Sequence, residues 1–335
     1  MTRTPDRFAD ALIPYIGGKR RLAPLIFALL EAELPRSAWA RSVFLDPFSG
    51  GGSVALFAKA FGFSVIASDI APRARTVARA LVENSSLRLT QRDIADFFEN
   101  GGVPVHGQAA RLVGSAFTAE QAAFIDGALA HAERQSEPRR SLLLLVIIKL
   151  ILRLFPMSAP AATDAMAAVS GDYDRVSPRR LGHYLKARAL LTPAHLWRVA
   201  QDVNAGVFSG RGTALQMDAL TAIRSNPADV LYLDPPYAQT VRYVEHYAAL
   251  DALLGDPPSA APAPTLDDLL DAARDVPLVV ISYGGPTATI ASLSELVARH
   301  RTVCRAVAVP YAHLPSVAKE ENRERNRELV VIARR

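Results

Sequence analysis

The sequence predicts an α/β fold built on an open, mostly parallel sheet. An apolar strand at residues 43–45 runs through a glycine-rich turn into an amphipathic helix at 53–61. A second apolar run, at 230–233, ends abruptly at an acid and two prolines, as a buried parallel strand does at its carboxyl end. Two apolar strands, at 302–309 and 327–333, follow one another without an intervening helix. We therefore expect a doubly wound sheet with an antiparallel pair at one edge.

Composition indicates an intracellular globular protein. The chain has 335 residues, half of them hydrophobic, and a single cysteine, Cys304, which excludes a disulfide framework and a cysteine-rich zinc site. The first ten residues contain no apolar signal core, so we expect a cytoplasmic location. The most apolar run, 142–155, is interrupted by Lys149 and Arg153 and is shorter than the roughly 20 residues that span a bilayer. It predicts a buried core helix rather than a membrane partner.

The charge is moderately basic. The net charge is +5 and the isoelectric point is near 9.5. Only five of the 38 basic residues are lysines, so 33 are arginines, and arginine binds phosphate and guanine edges in bidentate fashion. A GC-rich genome would also enrich arginine and alanine. Basicity alone is therefore a weak indication of nucleic-acid binding.

The middle of the chain differs from both ends. Between 85 and 210 no strand–turn–helix unit with a glycine-rich turn recurs, and the pattern predicts helices at 118–132, 141–155, 178–191 and 193–203. A connection of this length must form a domain of its own. We predict a sheet domain from 1–84 and 211–335, and an inserted helical domain from 85–210.

A basic stretch without acids lies inside the predicted insert, at 175–198. Its charge pattern, interleaved with His183 and Tyr184, suits a nucleic-acid backbone, and a solvated helix face would explain it equally. The predicted DNA-binding residues are Arg175, Arg179, Arg180, Lys186 and Arg188.

The glycine-rich turn is a candidate cofactor site. It follows the strand that ends at Asp46 and leads into the helix at 53–61, so a ligand could approach the backbone at a helix N-terminus. The turn lacks the lysine–serine/threonine pair of a P-loop, which argues against a nucleoside triphosphate. Asp69 ends the next strand, 17 residues beyond Gly52, where an acid typically accepts ribose hydroxyls. The pair predicts an adenosine-containing cofactor, although a capping aspartate beside a plain turn remains the alternative.

Two further sites are more ambiguous. Gly17-Gly18 precedes Lys19 at the start of a predicted helix at 20–33, which suits a carboxylate or phosphate, or is a plain turn. Asp218 follows a short predicted edge strand at 214–217. It could meet the amine of a cofactor adenine or cap the next helix.

The stretch Asp234-Pro235-Pro236-Tyr237 is the most informative. Its prolines hold a stiff turn at the carboxyl end of a buried strand, where open α/β sheets bind their ligands. The turn presents a carboxylate, a prolyl carbonyl and an aromatic ring. That set suits a planar group with an exocyclic amine, and the plainer alternative is a loop in which Asp234 caps a neighbour.

Taken in order, these landmarks resemble a Dam-like (D12 class) DNA adenine-N6 methyltransferase. The matching motifs are Tyr15-Ile16-Gly17-Gly18-Lys19, Asp46-Pro47-Phe48-Ser49-Gly50-Gly51-Gly52, Asp69, Asp234-Pro235-Pro236-Tyr237 and the strand Asn326–Val331. The resemblance covers about 12–84 and 213–335. It implies a Rossmann-like class I S-adenosylmethionine-dependent methyltransferase sheet, with a mostly helical target-recognition domain inserted at 85–210.

The resemblance also implies a cofactor and site residues. S-adenosylmethionine would lie against residues of the matched motifs, with Asp69 on its ribose hydroxyls and Asp234 between cofactor and target. The cofactor-binding residues expected in this way are Tyr15, Gly17, Gly18, Lys19, Asp46, Phe48, Gly50, Gly52, Asp69, Asp218 and Asp234. The expected catalytic residues are Asp234, Pro235 and Tyr237, with Tyr237 stacked on a flipped adenine.

The expected activity is site-specific transfer of a methyl group to N6 of adenine in DNA, without a metal and with a cognate restriction nuclease as a further partner. A cytosine-N4 DNA methyltransferase, an RNA adenine methyltransferase and a decayed DNA-binding module remain alternatives. Protein glutamine methyltransferases begin the motif with asparagine, so Asp234 argues against them. Between Ser158 and Gly212 the usual recognition-domain signature is missing, and the resemblance therefore implies no recognition sequence.

Overall fold

The computed structural model describes residues 7–100, 107–113, 116–154, 190–236, 242–255, 263–284, 288–310 and 327–335. Its centre is a seven-stranded sheet of order β3-β2-β1-β4-β5-β7-β6. The strands are β1 Val43–Asp46, β2 Ser64–Asp69, β3 Arg211–Gln216, β4 Val230–Leu233, β5 Leu278–Gly284, β6 Thr302–Pro310 and β7 Arg327–Arg334. The first five are parallel, and β7 runs antiparallel to both β5 and β6. The predicted fold class and its antiparallel edge are confirmed.

Twelve α-helices are described in these ranges. They are α1 Ala23–Glu31, α2 Arg36–Trp39, α3 Ser53–Ala60, α4 Pro72–Val77, α5 Gln91–Asn100, α6 Ala119–Glu133, α7 Arg139–Leu154, α8 Pro193–Ala205, α9 Ala219–Ser225, α10 Arg242–Leu254, α11 Leu266–Ala272 and α12 Ile290–Ala298. Short 3-10 helices cover Phe8–Ala11 and Ala109–Leu112.

Alternation along the strands gives the sheet two apolar faces. Phe44 and Tyr232 belong to one face, which packs against α1 and α3. Leu45 and Leu231 point the other way, toward α9, α11 and α12. Helices cover both faces, as a parallel sheet requires.

Helix α7 is the buried core helix that the apolar run predicts. Twelve of its 16 residues are buried, and it packs with α5, α6, α8 and part of α10 in one apolar cluster. Lys149 is enclosed there and donates to the carbonyls of Asp10, Ala11 and Leu12. Within the described ranges, no helix is long and apolar enough to cross a membrane.

Two predicted elements begin three residues away from their predicted positions. The helix expected at 20–33 begins at Ala23, because the backbone N–H groups of Leu22 and Ala23 both donate to the carbonyl of Lys19 in a preceding turn. The segment after β2 is α-helical from Pro72 to Val77 and continues as a π-helix, Ala78–Glu83. The edge strand expected at 214–217 is β3, which begins three residues earlier.

The described part of the predicted insert comprises α5–α8 and packs directly on the π-helix that follows α4. Its separation as a domain at 85–210 stays a prediction. The helix expected at 178–191 lies almost entirely outside the described residues.

Candidate active site

The candidate site lies where the strand order reverses, between β1 and β4. These strands pair in parallel, with Phe44 beside Val230, so their carboxyl ends meet at one edge of the sheet. Asp46 ends β1, Asp234 follows β4, and Asp69 ends the adjacent β2. This crevice is where open α/β sheets bind ligands.

Asp69 holds the glycine-rich turn in place. Its carboxylate accepts the backbone N–H of Gly50 at 2.9 Å and that of Ala71 at 2.9 Å. Gly50 and Gly52 have φ values of 48° and 75°, a region that favours glycine. Burial raises the pKa of Asp69.

Tyr15 lies against this turn. A Cβ atom at Gly50 would lie 2.7 Å from Cε1 of the Tyr15 ring, and one at Gly51 would lie 2.9 Å from its Cβ and Cγ. Both distances are too short for real contacts, so this approach of ring to backbone requires two glycines.

Helix α10 fixes Tyr15 from the other side. Tyr247 stacks on Tyr15 at 5.2 Å between ring centroids, and its hydroxyl accepts the backbone N–H of Ile16 at 3.0 Å. Arg73 lies over the Tyr247 ring, donates to the Tyr15 hydroxyl and forms a buried ion pair with Asp251. Burial raises the pKa of Asp251 to about 6. Helix α10, which follows Asp234-Pro235-Pro236 in sequence, therefore holds the segment that precedes Lys19 in place.

Lys19 is buried at the centre of the site. Its Nζ lies 2.9 Å from Oδ1 and 2.8 Å from Oδ2 of Asp234, and 3.2 Å from Oε1 of Glu328. It also donates to the carbonyl of Gly17 at 3.0 Å. Burial acts to lower the pKa of Lys19, but the two carboxylate charges outweigh it, and the pKa is raised. Lys19 therefore stays an ammonium.

Asp46 is the third aspartate of the crevice, beside Asp69 and Asp234. It is 1 % exposed, and its Oδ1 accepts the backbone N–H of Phe48 at 3.2 Å. Burial, and then the charge of Asp234, raises the pKa of Asp46 well above its ordinary value. The crevice thus combines three aspartates and Glu328 with Lys19.

The other predicted site residues are placed as follows. Phe48 is half-buried against the apolar cluster beneath the turn, and Pro235 is buried. Asp218 is the N-cap of α9 and accepts the backbone N–H of Thr221 at 2.9 Å, so the capping alternative is confirmed, while contact with a cofactor stays a prediction. Outside the described residues lie Tyr237 and the predicted DNA-binding residues Arg175, Arg179, Arg180, Lys186 and Arg188.

Four residues of the site were not predicted: Arg73, Tyr247, Asp251 and Glu328. Tyr247 and Asp251 are four residues apart in α10, the spacing of one helix face, which is the available signal. Glu328 is an acid followed by five apolar residues of β7. An acid directly before a run of apolar strand residues is the sequence signal that could have indicated a site residue here.

Residues 15–102 match the family model of the D12 class N6 adenine-specific DNA methyltransferase. This part of the chain is therefore similar to D12-class methyltransferases. A type II methyltransferase of Haemophilus parahaemolyticus, M2.HphI, is 26 % identical over 251 residues, which cover 72 % of this chain and 70 % of the relative. The match and the relative support site-specific adenine DNA methylation as the activity, with DNA as substrate and a methyl donor as cofactor.

The described residues contain no group of three or more His, Cys, Asp or Glu side chains that could hold a metal ion.

Proposed function

We propose that the methyl donor of this adenine-specific DNA methyltransferase is S-adenosylmethionine, bound by the glycine-rich turn, Tyr15 and Asp69. The described residues fit such a donor in two ways. Gly52, the N-cap of α3, provides no capping side chain, and Asp46 accepts only the backbone N–H of Ala55 in the first turn, so the N–H groups of Ser53 and Val54 would meet a carboxylate. Asp234, and Asp69 on the neighbouring strand, supply the negative surroundings that a sulfonium requires.

When bound, S-adenosylmethionine supplies an electrophilic methyl carbon on sulfur. The residues of this chain act on the adenine amine, whose lone pair is delocalised into the ring. An Asp234 carboxylate oxygen and the Pro235 carbonyl would accept its two hydrogens and favour a pyramidal nitrogen with an exposed lone pair. The amine nitrogen must also lose one proton on methylation, and this proton would pass to the Asp234 carboxylate along the hydrogen bond that the amine already donates to it. No covalent enzyme intermediate is needed.

The observation that carries this proposal is the contact of Lys19 with both carboxylate oxygens of Asp234. The ammonium keeps Asp234 ionised, as an acceptor must be, and fixes its orientation at the carboxyl end of β4. Positioning and electrostatics of this kind supply most of the rate in reactions that need no covalent catalyst.

Replacement of Asp234 tests the proposal. Asp234→Ala should abolish methylation of adenine in DNA, because the amine loses its charged acceptor, while binding of DNA survives. The measurement is transfer of labelled methyl groups to DNA, followed by nucleoside analysis, beside a DNA-binding assay. Asp229→Ala is the matched control, since Asp229 lies exposed at the opposite end of the same strand and accepts the backbone N–H of Val43. Turnover at the wild-type rate in Asp234→Ala would refute the assignment.

The proposal also covers the contacts with DNA, the location of the protein in the cell and its partner. Tyr237 would stack on the flipped adenine, and the basic residues of 175–188 would contact the phosphate backbone. Type II methyltransferases such as the relative M2.HphI suggest a cytoplasmic protein with a cognate restriction nuclease.

A further inference from the structure

Glu328 is a completely buried acid in the last strand. It is 0 % exposed, and its Oε1 accepts the Ser282 hydroxyl at 2.8 Å and lies 3.2 Å from Nζ of Lys19. In the antiparallel register, Ser282 pairs with Val330 and Gly284 pairs with Glu328. Ser282 and Glu328 are thus on the same face of the sheet, which is also the face of Lys19.

Burying the Glu328 carboxylate does not favour the stability of the fold. A buried ion pair rarely stabilises a protein more than apolar residues of similar volume do. The rest of β7 shows the alternative, since Leu329–Ala333 is apolar and buried. A carboxylate at 328 therefore points to a role in the site rather than in the sheet.

We propose that Glu328 is a positioning residue that acts through Lys19 on the acceptor Asp234. Glu328, held by the Ser282 hydroxyl, contacts the same Lys19 ammonium that contacts Asp234. The ammonium is thereby shared between two carboxylates, and Asp234 stays ionised while keeping its strength as an acceptor for the adenine amine. This role rests on the proposed function and adds a third member to its site.

The balance of charge explains why sharing matters. Without the charge of Glu328, Lys19 would form its ion pair with Asp234 alone. This stronger pair would make the Asp234 oxygens weaker hydrogen-bond acceptors for the adenine amine. The other titratable groups near Asp234 are Asp46 on β1 and Tyr232 on β4, with Asp69 beside Asp46. Because these groups are unchanged in a Glu328 variant, a change in pH dependence reports on the Lys19–Asp234 pair.

Glu328→Gln is the decisive variant, because it keeps the shape and removes the charge. We expect kcat to fall roughly tenfold to a hundredfold, with KM for DNA and for S-adenosylmethionine within about twofold of wild type. The acid limb of kcat against pH should move to lower pH, since the remaining Lys19–Asp234 pair is stronger. A residue that served only the fold would not move this limb.

Glu33→Gln is the matched control. Glu33 is another mostly buried glutamate, and it pairs with Arg305 of β6 and Arg334 of β7. Arg334 is at the end of β7 opposite to Glu328. It should keep the wild-type kcat and pH profile. A wild-type kcat and pH profile in Glu328→Gln would overturn the positioning role.

A conservative variant covers the case in which Glu328→Gln does not fold. Glu328→Asp keeps the charge and should restore the acid limb to its wild-type pH, with a lower kcat because the contact with Lys19 lengthens. If the limb of Glu328→Asp is displaced to low pH instead, the role is overturned. Failure of the wild-type protein to methylate adenine in DNA would refute the proposed function itself, so the two failures are distinguishable.

Discussion

Three lysines are buried in the described part of the chain, and they lie in two kinds of surroundings. Lys19 is enclosed by the carboxylates of Asp234 and Glu328, and its pKa is raised. Lys59 and Lys149 donate to backbone carbonyls, and burial lowers the pKa of each to about 8. All three are at most 5 % exposed.

Under the proposed function, the difference separates a lysine that serves the reaction from two that serve the fold. Lys59 satisfies the carbonyls of Leu81 and Asn84 at the end of the π-helix, and Lys149 satisfies three carbonyls that precede the site. Neutral donors could perform either task. Of the three, only Lys19 has its ammonium between two carboxylates, whose charges raise its pKa.

Lys19→Met should have the largest effect. It leaves the carboxylates of Asp234 and Glu328 together without a cation, so kcat should fall by about 10² or more. The acid limb of kcat against pH should move upward, because unneutralised acids hold protons more firmly. The measurement is the pH profile of DNA methylation. Near-wild-type turnover would contradict this prediction and would show that Lys19 has only a structural role, like Lys59 and Lys149.

Lys149→Met should change stability instead of catalysis. The carbonyls of Asp10, Ala11 and Leu12 would lose their donor, which should lower the free energy of unfolding by about 1–3 kcal/mol. The kcat at a temperature well below the transition should stay at its wild-type value. Chemical denaturation monitored by circular dichroism, beside the methylation assay, gives both quantities. A tenfold loss of kcat in the folded variant would contradict this separation.

The pH dependence of stability gives the smallest and most specific effect. Lys59 has a pKa of about 8 in the folded chain, below its ordinary value of 10.5, so the unfolded state binds more protons between these values. The free energy of unfolding therefore rises with pH in this window, by about 1 kcal/mol between pH 8 and 9 for each such lysine. This gain in stability is lost again as the pH falls through 8. Lys59→Met should reduce the rise to the part contributed by Lys149. An unchanged slope in denaturation curves would contradict the lowered pKa.

The strands and the glycine-rich turn could be predicted because their signals are local. Alternation, an apolar run that ends at prolines, and glycines at a strand end each occupy a few neighbouring residues. The five strands whose bounds were predicted lie within three residues of those in the structure. The contacts of Lys59 with the carbonyls of Leu81 and Asn84, at the end of the π-helix, join residues more than 20 positions apart, and no local signal predicts them.

The site could be predicted only in part, for the same reason. Asp234 and Lys19 were each expected to lie near the cofactor, but nothing in the sequence joins them across 215 positions. Lys149 was only an interruption in an apolar run, and its three carbonyl partners lie about 138 positions earlier. Such pairings depend on the register of the sheet and the packing of the helices, which periodicity does not encode.

The position of β7 has a consequence for biosynthesis. Because β7 is inserted between β5 and β6, strand β5 keeps an unpaired edge until residues 327–334 have been synthesised. Glu328 belongs to the same strand, so the nascent chain also lacks the second carboxylate of Lys19 until then. A polypeptide released before this strand would combine an exposed edge, prone to aggregation, with an incomplete catalytic crevice. Completion of the fold and onset of activity thus depend on the same eight residues.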